Sequence, residues 1–273
     1  MVSVTYTPTV PWDAVGTVAV VDLEAACELH GRDTLPYPLG RSRPVGSVWL
    51  ATRDVEPIEN RLDGGDLSGV RAWVEAVVRA DVCVECRASF SDEGTPDLRL
   101  HGVRVGELGF AAIQRSDRHA ADIVDIYAVS PAALGAVVAD SAGLVGAGGH
   151  VRVAVTGCGD RLPAPPDMLD EYDDFGFPIP HAGPREPAGI IVDGRDVVAT
   201  GTVQTRYDPA RQWGLDAARR VLQWVQVGGD GDYLYEPDDA GYAEPMDAEM
   251  LRGCIDGFIA DDLEVLRARR GLG

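Results

Sequence analysis

VLQWVQVGGDGDYLY, residues 221–235, carries the clearest β-strand pattern of this chain. From residue 221 to 227 apolar side chains occur on both sides of a period-two alternation, and the glycine-rich run at 228–231 interrupts it. Tyr233, Leu234 and Tyr235 then resume the pattern. This arrangement predicts a β-hairpin whose strands are covered by other parts of the protein. Because no nucleophile, base or metal-binding cluster accompanies it, the stretch indicates a packed scaffold rather than an active site.

The length and composition of the chain are compatible with one α/β domain or with two related halves of such a domain. Its 273 residues are 45% apolar and 25% charged, which is enough to build a full hydrophobic core. The 24 Lys and Arg residues are outnumbered by 44 Asp and Glu residues, which gives a formal net charge of -20. Nucleic acid and anionic membranes repel such a surface. The acidity serves solubility alone, or it forms a face that meets a complementary partner.

No membrane span or signal peptide is predicted, because the apolar run at residues 14–21 is too short and lacks a basic flank. The expected location is therefore the cytoplasm. The five cysteines, at positions 27, 83, 86, 158 and 254, are odd in number and scattered, unlike a disulfide framework. We expect them to be reduced.

The first half of the chain, residues 12–145, alternates strand and helix signals. A strand at 15–21 precedes a helix with Asp22 as the expected N-cap and Gly31 as the stop. The prolines of LPYPL, residues 35–39, predict an extended segment. Further helices are predicted at 45–61, 66–80 and 130–139, a strand at 82–88, and an antiparallel meander at 98–105, 108–114 and 123–129.

The second half, residues 146–273, contains a compositional break. A glycine-rich link at 143–149 leads into a strand at 151–156, and a Pro-rich acidic loop occupies 157–189. Strands at 189–192 and 196–204 are predicted around a turn at Asp193 and Gly194. Asp247 is the expected cap of a long terminal helix. The order of the elements predicts a sheet covered by helices, in two successive units that meet near residue 145.

The motifs that would carry chemistry are incomplete. Cys83 and Cys86 form a C-x-x-C on a predicted strand, where they point to opposite faces, and no second pair completes a metal site. GLVGAGGHV at 143–151 follows a helix and precedes a strand, the reverse of a dinucleotide-binding loop. DEYDD at 170–174 lacks the ligand spacing and the glycine of an EF-hand, and turn chemistry accounts for DGD at 230–232. We therefore predict no metal and no cofactor.

The histidines do not point to catalysis either. They stand at positions 30, 101, 119, 150 and 181 without a recurring spacing, and neither G-x-S-x-G nor H-E-x-x-H occurs. We expect no enzymatic activity, although residues distant in sequence are able to converge in space.

The chain resembles the EspG family, the ESX secretion-associated chaperones of actinobacterial type VII secretion. The first part of the resemblance is the early strand and helix that lead into LPYPL, the helix-to-strand passage AWVEAVVRADVCVECRA and the strand meander. The second part is a strand bearing Trp224, a glycine-acid turn, and the D-x-Y-L strand of Asp232, Tyr233 and Leu234. It extends from about residue 15 to 270. The Pro-rich acidic insert at 157–189 departs from the family pattern.

The resemblance implies a single domain with a central, mainly antiparallel β-sheet, helical bundles and two pseudo-twofold-related halves. It also implies a cytosolic, non-enzymatic chaperone that binds the apolar tip of the PPE protein in a PE–PPE heterodimer. Such a chaperone keeps the heterodimer soluble and directs it to the secretion machinery. Neither the secretion system nor the oligomeric state follows from the resemblance.

In the family, partner contacts involve a loop between two central strands and the C-terminal helical region. Here the loop is SFSDEGTP at 89–96, and Phe90 is the expected anchor. The full set of candidate contact residues is Phe90, Ser91, Asp92, Glu93, Met246, Met250 and Phe258. As an alternative, Phe90 ends its strand in the core, and the three residues assigned to the terminal helix pack at helical spacing.

Two other functions stay open. The chain is a regulatory module that binds another partner, such as a basic helix, or it is an enzyme with dispersed site residues. Binding of a basic partner would weaken strongly with salt, whereas capture of an apolar tip would not.

Overall fold

The computed structural model describes residues 11–42, 56–92, 94–116, 122–156, 189–208, 213–236 and 239–271. These residues form an α+β fold with one sheet of eleven strands and five α-helices. The strands are β1 (Asp13–Ala19), β2 (Val82–Phe90), β3 (Leu98–Val105), β4 (Leu108–Ser116), β5 (Asp122–Val129), β6 (Val153–Thr156), β7 (Ile190–Asp193), β8 (Val197–Arg206), β9 (Leu222–Val227), β10 (Gly231–Glu236) and β11 (Asp239–Pro245). The helices are α1 (Val20–Leu29), α2 (Ile58–Asp63), α3 (Arg71–Val78), α4 (Leu134–Ser141) and α5 (Ala248–Arg269).

The strand order in the sheet is β1-β5-β4-β3-β2-β8-β9-β10-β11-β6-β7. All neighbours are antiparallel except β6 and β7, which confirms the mainly antiparallel sheet. The order repeats: β1-β5-β4-β3-β2 corresponds to β6-β11-β10-β9-β8, and β2 pairs with β8 at the centre, with Cys86 opposite Val203. Two such five-strand series, joined by the antiparallel pair of β2 and β8, have the strand order expected of halves related by a pseudo-twofold axis. The boundary of the halves near residue 145 stays a prediction.

Helices cover both faces of the sheet. Buried side chains of α1 and α3 pack with Cys83 and other residues of β1 to β5, and we call this cluster the α1–α3 core. Val84 and Cys86, on the opposite face of β2, pack with α4 and α5 in the α4–α5 core. Cys83 and Cys86 therefore lie on opposite faces, as period-two alternation predicts. Burial raises the pKa of the Cys83 thiol to about 12.

The predicted hairpin at 221–235 is confirmed. Strands β9 and β10 pair antiparallel, with Val227 opposite Gly231. Trp224 points into the α4–α5 core, whereas Val225 belongs to a third cluster, the C-terminal core, with side chains of β6, β7, β10 and β11. The hairpin is thus covered on both faces, because each face carries apolar side chains whose burial is favourable.

The two strands predicted around Asp193 and Gly194 are present as β7 and β8, with a short turn at Gly194–Asp196 between them, but they do not pair with each other. Strand β7 pairs with β6 at the sheet edge, whereas β8 pairs with β2 and β9 at the sheet centre. The connection from Asp193 to Val197 spans four residues, which reach about 14 Å at most. In a flat sheet five strand spacings would separate these strands by about 24 Å. The C-terminal strands must therefore curl around the C-terminal core.

Several predicted helix and loop boundaries also change. Ala19 is the N-cap of α1, and Asp22 lies in its first turn instead. LPYPL is not extended throughout, because the Leu39 N–H donates to the Pro36 carbonyl and forms a turn. Helix α3 starts at Arg71, five residues later than predicted. Most of the predicted helix at 45–61 and of the Pro-rich loop at 157–189 lies outside the described residues; the described end of that helix overlaps α2.

Candidate partner-binding surface

The end of β2, the glycine-rich segment 143–150 and the start of α5 lie at the same end of the sheet. Phe90, at the end of β2, is paired with Ala199 of β8, and β8 begins beside the end of β9. The adjoining β9–β10 turn leads to Asp232, whose carbonyl accepts the Met246 N–H at 2.8 Å. The ring of Phe90 lies against Gly143. These elements bring two of the predicted regions, the β2–β3 loop and the start of the terminal helix, to one end of the molecule.

A buried carboxylate holds the segment 143–150 in place. Asp232 is fully buried, and one of its oxygens accepts the N–H groups of Val145 at 2.6 Å and Gly146 at 2.8 Å. Its other oxygen accepts the Gln226 side-chain amide at 2.8 Å. Three donors around one carboxylate compensate its desolvation. The second aspartate of DGD is therefore a loop anchor, a role that turn chemistry did not predict.

A second set of hydrogen bonds fixes the far end of the same segment. The Tyr233 hydroxyl donates to Asp230 and accepts the His150 N–H at 3.0 Å. Asp230 also accepts the Gly149 N–H at 2.9 Å. Burial, and then the hydrogen bond to Asp230, raises the pKa of Tyr233 to about 12, while that hydrogen bond lowers the pKa of Asp230. The aspartates and the tyrosine of the hairpin thus clamp a segment about 85 residues earlier in the chain.

The clamped segment presents an apolar side chain to solvent. Val145 is 70% exposed although both its own N–H and that of Gly146 are held. Met250, in the first turn of α5, is 39% exposed. Phe90 is half-buried and its ring packs against the α4–α5 core, as the alternative interpretation of the sequence expected. Asp92, Asp247 and Glu249 are exposed carboxylates of the same loop and helix start. We call Phe90, Val145 and Met250 the apolar end patch. Val145 was not predicted from the sequence, where its signal is an apolar residue within a glycine run.

The other predicted contact residues fall in different places. Ser91 continues the pairing of β2 through its N–H to the Val198 carbonyl at 2.8 Å. Asp92 accepts the Gly94 N–H at 3.2 Å and the Thr95 hydroxyl at 2.8 Å, and these bonds lower its pKa. Glu93 lies outside the described residues. The β2–β3 loop is therefore an ordered turn around Asp92 in its described part.

Met246 and Phe258 are not part of the patch. Met246 precedes α5 and is fully buried in the α4–α5 core, which corrects its assignment to the helix and to partner contact. Phe258 is half-buried against the same core, and the Arg220 guanidinium lies 4.4 Å from its ring centroid. It lies about 12 Å beyond Met250 along the helix axis. Core packing, the alternative that the helical spacing allowed, applies to both.

A histidine and a carboxylate do meet, but away from solvent. Glu85 and His101 face each other across β2 and β3, and both are buried. Glu85 accepts from Arg206 at 2.9 Å, and His101 Nδ1 lies 3.0 Å from the Tyr37 carbonyl. Burial raises the pKa of Glu85 to about 7 and lowers the pKa of His101 to about 4. A substrate would not reach this pair in the described fold.

The described part of the chain contains no group of three or more His, Cys, Asp or Glu side chains placed to hold a metal ion. Among the described helices, none combines the length and apolar character needed to cross a membrane. Comparison with protein-family models finds no match to this chain. Comparison with curated proteins likewise finds no match.

Proposed function

We propose that this protein is a chaperone of the EspG type, which binds the apolar tip of a PPE-type protein in a PE–PPE heterodimer, keeps it soluble and directs it to the type VII secretion machinery. The proposal includes no cofactor and no catalytic turnover, and it assigns the protein to the cytoplasm. The observation that carries it is the apolar end patch, in which Val145 is 70% exposed on a segment held by buried hydrogen bonds.

An exposed apolar side chain on a segment that is already held in place is suited to binding a partner. Ordering a loop on binding costs conformational entropy, and the hydrogen bonds of Asp232 have already imposed that cost on residues 145 and 146. Phe90 and Met250 add an aromatic ring and a flexible thioether, which adapt to an apolar partner. The carboxylates of Asp92, Asp247 and Glu249 keep the surrounding surface hydrated and discourage self-association.

Co-expression with a PE–PPE pair encoded near its gene tests this proposal. We expect a complex that survives size exclusion at physiological salt. Val145→Asp and Met250→Asp should each weaken the complex at least tenfold, because a carboxylate in a desolvated apolar contact lacks a partner. Val265→Asp is the matched control, since Val265 is 41% exposed on the same helix but far from the patch.

The absence of a complex with the wild-type chain would remove the proposal, and so would unchanged binding by both patch variants. The net charge of -20 favours a second candidate, a module that binds a basic partner. Salt distinguishes the two functions. Raising it from 0.1 to 0.5 M in the binding assay should change the affinity for an apolar tip little, whereas the affinity for a basic helix should fall steeply.

A further inference from the structure

A cleft of about 530 Å³ opens on the face of the central strands opposite α4 and α5. Its floor is formed by β2, β8 and β9, where Arg87 is opposite Thr202 and Ser89 is opposite Thr200. Gln223 of β9 continues the row from Thr202. The remaining lining residues are Tyr37, Phe90, Asp97, Gly201 and Leu215. The volume lies within the range of ligand-binding pockets.

Two loop segments form the walls of this cleft, and polar side chains of the sheet hold both of them. Gln114 bonds Gly40 through the Gly40 N–H at 2.9 Å and the Gly40 carbonyl at 2.7 Å. Gln204 makes the same two-bond contact with the main chain of Asp216, at 2.7 and 2.9 Å. Residues 37–40 and 213–216 are therefore fixed to the sheet beside the cleft, which Tyr37 and Leu215 line.

The two walls are also joined to each other. The Trp213 indole N–H donates to the Leu39 carbonyl at 3.0 Å, and its ring packs edge-to-face against Tyr37 with centroids 5.0 Å apart. Trp213 nevertheless is 52% exposed, and Leu215 is 39% exposed. The cleft is thus preformed and has an aromatic and aliphatic lip over a polar floor.

The chemistry of the floor suits a neutral ligand with both donors and acceptors. Arg87 and Asp97 are 3.4 Å apart, so their charges offset each other, and the Ser89 hydroxyl donates to Asp97 at 3.1 Å. The Arg87 side chain is 40% exposed, so N–H groups of its guanidinium have donor capacity left for an incoming carbonyl. The hydroxyls of Thr200 and Thr202 both donate and accept. A peptide main chain, with alternating N–H and C=O groups, offers the complementary set.

The cleft and the apolar end patch meet at Phe90, the last residue of β2, although they lie on opposite faces of the sheet. Phe90 belongs to both, and Phe90 and Asp97 border the β2–β3 loop. An extended segment next to an apolar tip that covers the patch would therefore pass around the end of β2 to enter the cleft.

We propose that this cleft binds an extended, uncharged segment of the secreted partner through its main chain. This inference rests on the proposed chaperone function and adds a second contact to it. Main-chain recognition would supply affinity with little sequence selectivity, so one chaperone would accept related partners.

Site-specific cross-linking tests the inference and separates it from the proposed function. One variant carries p-benzoyl-L-phenylalanine at Leu215, on the lip of the cleft, and another carries it at Val145, in the patch. In complex with the PE–PPE pair we expect both to cross-link. Peptide mass spectrometry should assign Leu215 to a segment without Lys, Arg, Asp or Glu, and Val145 to the apolar tip.

A cross-link from Val145 without one from Leu215 would overturn the inference and leave the chaperone function intact. A Leu215 cross-link to a charged or helical segment would also overturn it. If neither position cross-links, or no complex forms, both proposals fail.

A second test of the inference uses the wild-type chain, without any substitution in the cleft. Modification of Arg87 by phenylglyoxal, read by mass spectrometry, should slow at least fivefold in the complex. Arg195 is the control, because its side chain is 90% exposed away from the cleft and its modification should be unchanged. Equal modification rates at Arg87 with and without the partner would contradict an occupied cleft.

Discussion

The carboxylate of Asp232 accepts the N–H of Val145 at 2.6 Å across 87 positions of the chain. A buried side chain of the hairpin thereby sets the position of an exposed apolar residue in the segment that follows α4. Since Asp232 also accepts from Gly146 and Gln226, one side chain joins three parts of the fold.

Asp232→Ala should destabilise the chain by about 3 kcal/mol, because it leaves buried donors without an acceptor. Urea unfolding at pH 7 measures this loss, and hydrogen exchange at Val145 and Gly146 should accelerate well beyond the global effect. Glu107→Ala is the control, since Glu107 is an exposed turn residue and its loss should change stability by less than about 0.5 kcal/mol. Equal stability of the two variants would refute the anchoring role of Asp232.

Gly201→Ala should destabilise the chain by about 3 kcal/mol. Gly201 is directly opposite Trp224, and a Cβ there would overlap the buried indole ring. Gly253→Ala is the matched substitution: Gly253 is exposed in α5 with open space around it, so alanine should stabilise the helix by up to about 1 kcal/mol. Thermal unfolding of both variants should therefore shift in opposite directions.

Replacing His101 should reveal a pH dependence of the free energy of unfolding that two opposite contributions offset in the wild-type chain. Burial lowers the pKa of His101 from 6.5 to about 4, so between these values the unfolded chain binds more protons and this group adds stability as pH rises. Burial raises the pKa of Glu85 from 4.5 to about 7, so there the folded chain binds more protons and this group removes stability as pH rises. The two contributions have opposite sign and similar size, about 3 kcal/mol each.

In the His101→Asn variant only the Glu85 contribution is left, so its stability relative to wild type should fall by about 3 kcal/mol between pH 4 and 6.5. Glu85→Gln should show the opposite trend, a rise relative to wild type up to about pH 7. Urea unfolding at half-unit pH steps provides the comparison. Parallel curves for wild type and both variants would show that neither group has a shifted pKa in the fold.

Arg206→Met should be more harmful at pH 8 than at pH 5.5. Arg206 is the ion-pair partner of the buried Glu85, and its loss leaves an uncompensated carboxylate that costs about 3–5 kcal/mol when ionised. At pH 5.5 Glu85 takes up a proton and the cost falls, since burial raises its pKa to about 7. Arg195→Met serves as control, because its exposed, solvent-screened pair with Asp193 should leave the stability nearly unchanged at either pH.

Features that depend on neighbouring residues were readable without a structure. The meander β3-β4-β5, the hairpin β9-β10 and the cap of α5, where Asp247 accepts the Met250 N–H at 2.8 Å, all follow from residues close in sequence. Period-two alternation also separated Cys83 from Cys86. In each case the strand period, a turn or a capping side chain contains the whole signal.

Contacts between distant residues were not readable in the same way. The sequence indicated two strands around Asp193 and Gly194, but it held no local sign that β8 pairs with β2, more than 100 positions earlier, while β7 joins the sheet edge. A register between remote strands depends on which apolar faces cover each other in the whole fold. The same applies to the apolar end patch, because a glycine run and an aspartate in the sequence are compatible with many turns. Only the tertiary packing brings Asp232 to the Val145 N–H, whose hydrogen bond holds this exposed residue in place.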